Sequence, residues 1–304
     1  MWFKNIQIYR FTQPFELDAE TLGQQLEQSA FQPCGSQDPA RSGWVAPLGR
    51  HGSELVHATN GYLMICAKRQ EKLLPAAVIN EELEAKAIEI EAREARSMPR
   101  KERRALRDEV YFNLLAKAFT RSSLQFAYIS PRDQLLIVDA ASSKRAEDLL
   151  QELRDTLGSL SVIPLVSKQQ PIDVMTRWVS SGQCAAGFDI GEEGELRDNA
   201  DVNSVIRCKK QDLSGEDMVT HLKNGMHISK LALSWQQRLE FVLDEKLVVK
   251  RIRFADMIQE QARDIEADDA AARFDVDFSI MSLELSAFIE ALTEAFGGAE
   301  SLEQ

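Results

Sequence analysis

Apolar and polar residues alternate with a period of two in several short segments of the chain. This alternation is typical of strands with one buried face, and residues 2–11 show it. Residues 55–59 and 62–69 flank Asn60 and Gly61, the pair that most readily adopts a type I′ turn, which predicts a β-hairpin. Further strands are predicted at residues 124–129, 134–139, 162–166, 203–209, 227–234, 238–243 and 247–254.

Other segments repeat apolar residues at intervals of three and four, which predicts helices with one buried face. The clearest helix runs from Ser142, a capping residue, to Gly158, which suits the left-handed position after a helix. Further helices are predicted after Asp18, at residues 171–180, after Ser214 and before Gly297 and Gly298.

The sequence pattern of residues 80–118 predicts two charged helices joined by a tight turn. Asn80 is a capping residue, and Glu81 and Glu82 place negative charge where a helix N-terminus favours it. Residues 97–99 (Ser-Met-Pro) end the first helix and start the second. Few apolar residues lie along either helix, so we expect a projecting arm, its first helix about 25 Å long, rather than a core element.

Strands and helices follow each other without the regular alternation of a parallel α/β sheet, which favours the α+β class. The composition, 44% hydrophobic and 28% charged over 304 residues, is ordinary for a globular protein. No run of about 18 apolar residues occurs and the first residues lack a signal-peptide pattern, so we expect a cytoplasmic protein without membrane contact. The four cysteines lie far apart and are expected to be reduced and buried.

The net charge of −12 argues against a nucleic-acid partner, because contacts to phosphate need Lys and Arg. The charge is unevenly distributed, however. Residues 255–304 contain thirteen acidic residues and two arginines, and residues 93–107 contain seven cations and two acids. The chain before residue 255 therefore carries only −1, and such a protein can still present a basic surface.

The sequence contains none of the common nucleotide-binding, hydrolase or zinc-protease signatures. Its four histidines include no pair at the i, i+4 spacing that places two imidazoles on one helix face. Residues 142–144 (Ser-Ser-Lys) could be read as a nucleophile beside a base, but a helix cap explains the same residues. We therefore expect no metal, no cofactor and no catalytic residue, and predict that the chain is not an enzyme.

Three basic features stand out, and each has a second interpretation. The arginine-rich segment 93–107 can contact phosphates or merely solvate an exposed helical hairpin. The cations of residues 206–212 and 246–253 can bind DNA or block edge-to-edge aggregation of strands. Phe119, two residues after Lys117, can be an exposed contact or a core anchor at a helix end.

Several blocks of sequence occur in the same order as in one known family. They are FQPCGSQD at 31–38, GW at 43–44, LPAAVI at 74–79, VIRCKKQDL at 205–213, KLALSW at 230–235 and RFDVDF at 273–278. By these blocks the chain resembles the RdgC family of recombination-associated proteins from residue 2 to residue 298. An ordered set of separate blocks is far more specific than a single motif.

The resemblance implies a horseshoe-shaped subunit with mixed α/β central and base regions and a projecting helical hairpin. Two such subunits would close at both ends into a ring-shaped homodimer. The central α+β domain would comprise residues 1–74 and 119–166, and residues 75–118 would be the hairpin tip, or gate. Residues 167–304 would form the base α+β domain, whose acidic C-terminal helices would be the dimer hinge.

The resemblance also implies binding of single- and double-stranded DNA with little sequence preference, restraint of RecA-mediated recombination, and no cofactor. It places Phe119 at the dimer gate, and Arg96, Lys117, Lys210 and Gln211 near the DNA. Their basic neighbours complete the expected DNA contacts: Arg100, Lys101, Arg103, Arg104 and Lys209. Cations around a central hole would contact phosphates rather than base edges, so DNA binding would depend strongly on salt. A protein that binds DNA in this way would associate with the nucleoid.

Two other classes of function are weighed beside DNA binding. The chain could act directly on RecA or another recombination ATPase through its acidic face, with DNA binding secondary. A nuclease would need carboxylates clustered around a divalent metal, whereas the acids of residues 255–304 look dispersed around helices.

Overall fold

Two antiparallel β-sheets organise the computed structural model, which describes residues 1–198, 204–213 and 215–301. The first sheet comprises β1 (Gln7–Phe11), β2 (Ala40–Val45), β3 (Val56–Thr59), β4 (Tyr62–Lys72), β5 (Thr120–Ser130), β6 (Leu135–Val138) and β7 (Val162–Pro164). Its order is β2-β4-β5-β6-β1-β7, and β3 also pairs with β4. The second comprises β8 (Phe188–Asp198), β9 (Val205–Lys209), β10 (Met226–Trp235), β11 (Leu239–Asp244) and β12 (Val249–Phe254), in the order β12-β11-β10-β8-β9.

Eight α-helices accompany the sheets in the part of the chain that the structure describes. They are α1 (Ala19–Glu27), α2 (Ala76–Glu94), α3 (Arg100–Lys117), α4 (Ser143–Leu157), α5 (Pro171–Ser181), α6 (Glu216–Lys223), α7 (Asp256–Asp264) and α8 (Ala270–Ala295). This mixture of helices and antiparallel sheets confirms the α+β class. The hairpin predicted around Asn60 and Gly61 is β3–β4, and both turn residues have positive φ.

Helices α4 and α1 pack on one face of the first sheet. The hydroxyl of Ser142 accepts a hydrogen bond from the amide of Arg145 at 3.4 Å, and Gly158 has a φ of +77°. Both predicted ends of α4 are therefore confirmed, and Ser142 is a helix cap. The core on this face includes Leu22, Leu26, Ile65, Ile129, Leu149 and Leu153.

Helix α8 joins the two sheets through one apolar core. Phe278 packs against Tyr128 of the first sheet, with ring centroids 5.8 Å apart. Phe288 packs against Phe241 of the second sheet at 4.8 Å. Removal of this apolar surface from water therefore ties the C-terminal helix to both halves of the fold.

Some sequence predictions are wrong in their details. The strand predicted at residues 2–11 begins only at Gln7, and Ile6 instead forms an antiparallel bridge with Val249 of the second sheet. All four cysteines are free, but only Cys66 is fully buried. The cap predicted at Ser214 lies outside the described residues, as does the start of the strand predicted at 203–209.

The helical hairpin of α2 and α3 packs largely on itself. Its small core consists of Ile79, Leu83, Ala87, Leu106 and Val110. The expected start at Asn80 is wrong, because α2 begins one turn earlier, at Ala76. Pro75 precedes it with a φ of −61°, which prepares the chain for a helix, and Ala76 and Ala77 are strong helix formers.

A three-stranded extension of the first sheet carries the helical hairpin. We call it the ribbon: residues 40–43 of β2, 68–72 of β4 and 120–124 of β5. Strands β4 and β5 stay in register through it as far as the pair Lys72 and Thr120. Most of its side chains are exposed or half-buried, so the ribbon is a surface with two accessible faces.

Candidate nucleic-acid interface

The first candidate cluster lies where α2 and α3 meet. Arg96 lies between Glu94 and Glu102, with N–O distances of 2.6 and 2.7 Å. The hydrogen bond to Glu102 raises the pKa of the Arg96 guanidinium. Arg103 of α3 pairs with Glu84 of α2. Nearby carboxylates therefore partly neutralise these two cations.

Apart from Arg93, which lies 3.7 Å from Glu94, the other cations of residues 93–107 are exposed. Within the described residues, none of them has a carboxylate oxygen within 4.0 Å. They are Arg100, Lys101, Arg104 and Arg107. Such side chains can contact phosphate without first breaking an ion pair. The same arrangement would also solvate an exposed hairpin, so the geometry is compatible with both interpretations.

Phe119 lies where α3 ends and the ribbon begins. Its side chain is 84% exposed, so the core-anchor interpretation is wrong. Its carbonyl accepts a hydrogen bond from the amide of Leu73 at 2.7 Å, which fixes the backbone while the ring faces solvent. Phe119 is thus at the base of the hairpin rather than at its turn, beside the exposed Lys117. Leu73 is also exposed, at 46%, and adjacent exposed apolar side chains are typical of a contact surface.

The last candidate residues lie at the end of the edge strand β9 of the second sheet and just after it. Lys209, Lys210 and Gln211 are all exposed. Lys210 adopts a left-handed φ of +52°, and the amide of Gln211 donates to the carbonyl of Glu192 at 3.2 Å. Lys210 lines a cavity of 440 Å³ together with residues of β11 and β12 on the outer face of the sheet. The three side chains therefore point into solvent from a defined turn.

A buried carboxylate missed by the sequence analysis organises the cations of this outer face. The side chain of Glu195 is 7% exposed and contacts Arg197 at 3.1 Å, Arg207 at 2.9 Å and Lys230 at 2.8 Å. Burial alone would raise the pKa of Glu195, but hydrogen bonds from Lys230 and Arg207 lower it to about 2. One carboxylate thus holds three cations from three strands, and Arg197 also lies 3.7 Å from Glu245.

The ribbon also carries cations that the sequence analysis missed. Lys68 and Lys72 lie on one face of β4, and Arg41 lies on the same face of β2. The pattern Lys-Arg-Gln-Glu-Lys at 68–72 could have revealed them, since alternate residues of a strand face the same side. The predicted strand ended at residue 69, so this alternation was not extended to its full length.

The structure does not gather all predicted contacts in one place. In the described residues, no hydrogen bond or ion pair links the hairpin cluster with Lys209, Lys210 or Gln211. Nor does any group of three or more His, Cys, Asp or Glu side chains there have an arrangement that could hold a metal ion. None of the described helices has the length and apolar character needed to cross a membrane.

Comparison with known proteins gives the chain a family. It matches the family model described as "Putative exonuclease, RdgC" over residues 1–299. The Recombination-associated protein RdgC of Aeromonas hydrophila subsp. hydrophila is 47% identical over 300 residues, which cover 99% of each chain. The protein of the same name from Serratia proteamaculans is 46% identical, and the alignment covers 98% of each chain. The one from Tolumonas auensis is 43% identical, and the alignment covers 99% of this chain and 100% of that protein. The resemblance seen in the sequence blocks is therefore confirmed, and the chain belongs to the RdgC family.

Proposed function

We propose that this chain is a non-sequence-specific DNA-binding protein that works as a ring-shaped homodimer. The ring encircles or coats single- and double-stranded DNA and restrains RecA-mediated recombination. Membership of the RdgC family, whose relatives are named recombination-associated proteins, supports a role at DNA. The proposal implies a cytoplasmic protein associated with the nucleoid.

The observation that carries the proposal is the set of exposed cations on a chain whose net charge is −12. They lie on the helical hairpin and at the end of β9, and the half-buried Lys68 and Lys72 add positive charge on one face of the ribbon. Exposed Lys and Arg side chains contact phosphates, which all DNA sequences share, and release counterions when they do so. Binding by such contacts has weak sequence preference and a strong dependence on salt.

Phe119 supports the closed ring. A large apolar side chain that is 84% exposed is stabilised when a partner covers it, and a second copy would supply that cover at the gate. In the proposed horseshoe, residues 75–118 are the tip, residues 1–74 and 119–166 the central domain, and residues 167–304 the base. DNA without a free end enters such a ring only if one interface opens.

A binding assay across a salt series tests the proposed function. Several unrelated duplexes and one single strand are titrated with the protein. We expect similar affinities for the duplexes and a steep fall as salt is raised. A strong preference for one duplex, or an affinity that does not change with salt, would contradict the proposal.

A second candidate is direct action on RecA or another recombination ATPase, which the charge of −11 in residues 255–304 favours. Competitor DNA separates the two in a strand-exchange assay with RecA. Excess DNA relieves inhibition by a protein that coats DNA, because the inhibitor is drawn away. It leaves inhibition by a direct RecA binder unchanged.

Hydrolysis is a third candidate because the matching family model is described as an exonuclease. Incubation of end-labelled DNA with the protein and Mg²⁺ or Mn²⁺ tests it. We expect the DNA to keep its length. Progressive shortening that follows the protein through purification would replace our proposal with a catalytic one.

A further inference from the structure

The two faces of the ribbon differ in their side chains. Ala67 and Ala127 face the core beneath α1 and α4, whereas Tyr128 faces the core that contains α8. Because successive strand residues point to opposite faces, Lys68 and Leu124 continue the face that carries Tyr128. We call this the cationic face of the ribbon.

Register places cationic and apolar side chains in rows across this face. Lys68 of β4 is paired with Leu124 of β5, whose side chain is 50% exposed. Lys68 is also paired with Gly43 of β2, and its ammonium group lies 4.5 Å from the ring centroid of Phe31. Phe31, Lys68 and Leu124 thus form one row.

Gly43 permits this row because it lets the backbone of Phe31, which runs beside β2, approach the ribbon closely. A Cβ atom at position 43 would lie 2.6 Å from the Cα of Phe31 and 2.8 Å from its nitrogen. Any larger residue would push Phe31 away from Lys68. The close approach of residue 31 to β2 therefore fixes an aromatic ring beside a cation.

The charges on this face differ from those on the opposite one. In the ribbon as described, the charged side chains of the cationic face are Arg41, Lys68 and Lys72. Arg41 pairs with Asp38, which lies just before β2, at 2.6 Å. The opposite face is mixed. There Arg121 pairs with Glu71, and Ser42 donates to Glu152 of α4 at 2.5 Å.

We propose that the cationic face of the ribbon binds single-stranded DNA and contacts its bases through Leu124 and Phe31. The phosphates then lie beside Lys68 and Lys72. Unpaired bases expose flat apolar surfaces that pack on such side chains, whereas the bases of a duplex are stacked and shielded. A duplex therefore uses only the cations of this face, so the apolar residues favour single strands. The inference rests on the proposed function.

Adjacent residues of β4 provide a matched pair of variants. Lys68→Gln removes a cation from the cationic face, and Arg69→Gln removes one from the opposite face. The probes are a labelled oligothymidylate and a mixed-sequence duplex of the same length. We expect Lys68→Gln to weaken binding of both and to make the salt slope shallower, by about 0.7 for the single strand and about 0.9 for the duplex. Arg69→Gln should bind both as the unmodified protein does.

Leu124→Ser tests the preference for single strands. We expect a roughly fivefold to tenfold loss of affinity for the oligothymidylate, since the apolar surface that Leu124 buries against a base is lost, and no change for the duplex. Ile163→Ser is the control, because Ile163 is an exposed apolar residue on β7, at the opposite edge of the same sheet. It should leave both affinities unchanged.

The outcomes distinguish this inference from the proposed function. If the unmodified protein binds neither probe, the proposed function fails. If it binds both with a steep salt response while Lys68→Gln and Leu124→Ser bind normally, only the ribbon inference fails. Equal losses of both probes in Leu124→Ser would overturn the single-strand preference. A Leu124→Ser protein that changes its oligomeric state in sizing experiments would instead make this face a contact between subunits.

Discussion

The helical hairpin and the outer face of the second sheet both carry cations, but they hold them differently. In the hairpin, Arg96 pairs with Glu94 and Glu102, which are close in sequence, on two helices with a small core of their own. On the sheet, Glu195 holds three cations from three strands. The ion pairs of Arg96 can form wherever the helical hairpin is folded. The ion pairs of Glu195 form only when three strands of the second sheet are paired. The two regions should therefore respond differently to substitution and to pH.

The largest effect is expected from truncation in the main core. Phe288→Ala should lower the free energy of unfolding by about 3 to 5 kcal/mol, because Phe288 is fully buried where α8 meets the second sheet. Leu83→Ala should destabilise the hairpin by about 2 kcal/mol or more while the rest of the fold stays intact. Thermal unfolding with amide hydrogen exchange measures both. Equal drops in melting temperature would show that the hairpin is not an independent unit.

The next effect concerns pH and Glu195. The folded-state pKa of Glu195 is about 2 and its ordinary value is 4.5, so above pH 4.5 the carboxylate is ionised in both states and its stabilisation is complete. Between pH 4.5 and 2 the unfolded chain binds the proton first, and up to about 3 kcal/mol of stability is lost.

Glu195→Gln tests this expectation. It should lower stability at neutral pH and flatten the pH dependence, because its three cations lose their shared partner. Glu94→Gln in the hairpin is the control and should change stability by no more than about 1 kcal/mol, as exposed ion pairs do. Denaturant unfolding from pH 2 to 7 measures the difference. Identical pH profiles of stability for the two variants would show that Glu195 stabilises the fold no more than the exposed Glu94 does.

A smaller effect is expected at Phe119. Phe119→Ala should remove about 2 kcal/mol or more from a contact between subunits, as interface aromatic residues do, with no change in melting temperature because the ring is exposed. In the proposed ring, the base interface should keep the protein dimeric, while stable association with DNA is lost. Phe112→Ala, another exposed aromatic of the hairpin, is the control for Phe119→Ala. A large fall in melting temperature, or unchanged DNA association, would refute the gate.

The smallest effect is expected after β9. Lys210→Ala with Gln211→Ala should weaken DNA binding without lowering the melting temperature, since both side chains are exposed. Loss of one engaged lysine should make the salt slope shallower by about one. Lys223→Ala, at the end of α6, should keep the original slope. Normal binding by the double variant would favour the alternative that cations at an edge strand only prevent aggregation.

Local chemistry explains why much of the fold could be predicted from the sequence. The turn at Asn60 and Gly61 and the two ends of α4 follow from residues only a few positions apart. The start of α2 was missed because Asn80 resembles a cap, while Pro75 and the alanines after it favour an earlier start. The first half of the strand predicted at residues 2–11 failed because Ile6 pairs with the distant Val249.

The exposure of the candidate residues was predictable where charge alone marks them. The exposure of Lys209, Lys210 and Gln211 follows from a polar strand end, and the cations at 93–107 follow from composition. The exposure of Phe119 could not be decided in this way, because an apolar residue at a helix end suits both a core and a contact. Its environment depends on whether another part of the chain covers it.

The sequence by itself determined the α+β class, the family, the charged helical hairpin and the main turns and caps, because these depend on short-range patterns and on ordered blocks. Only the tertiary structure decided which cations share a partner and which face of the ribbon they occupy. Arg207 and Lys230 lie 12 and 35 positions from Glu195, and only the pairing of three strands brings them to the same carboxylate. Strand register likewise puts Leu124 beside Lys68, since contacts between strands are set by pairing across the sheet rather than by proximity in sequence.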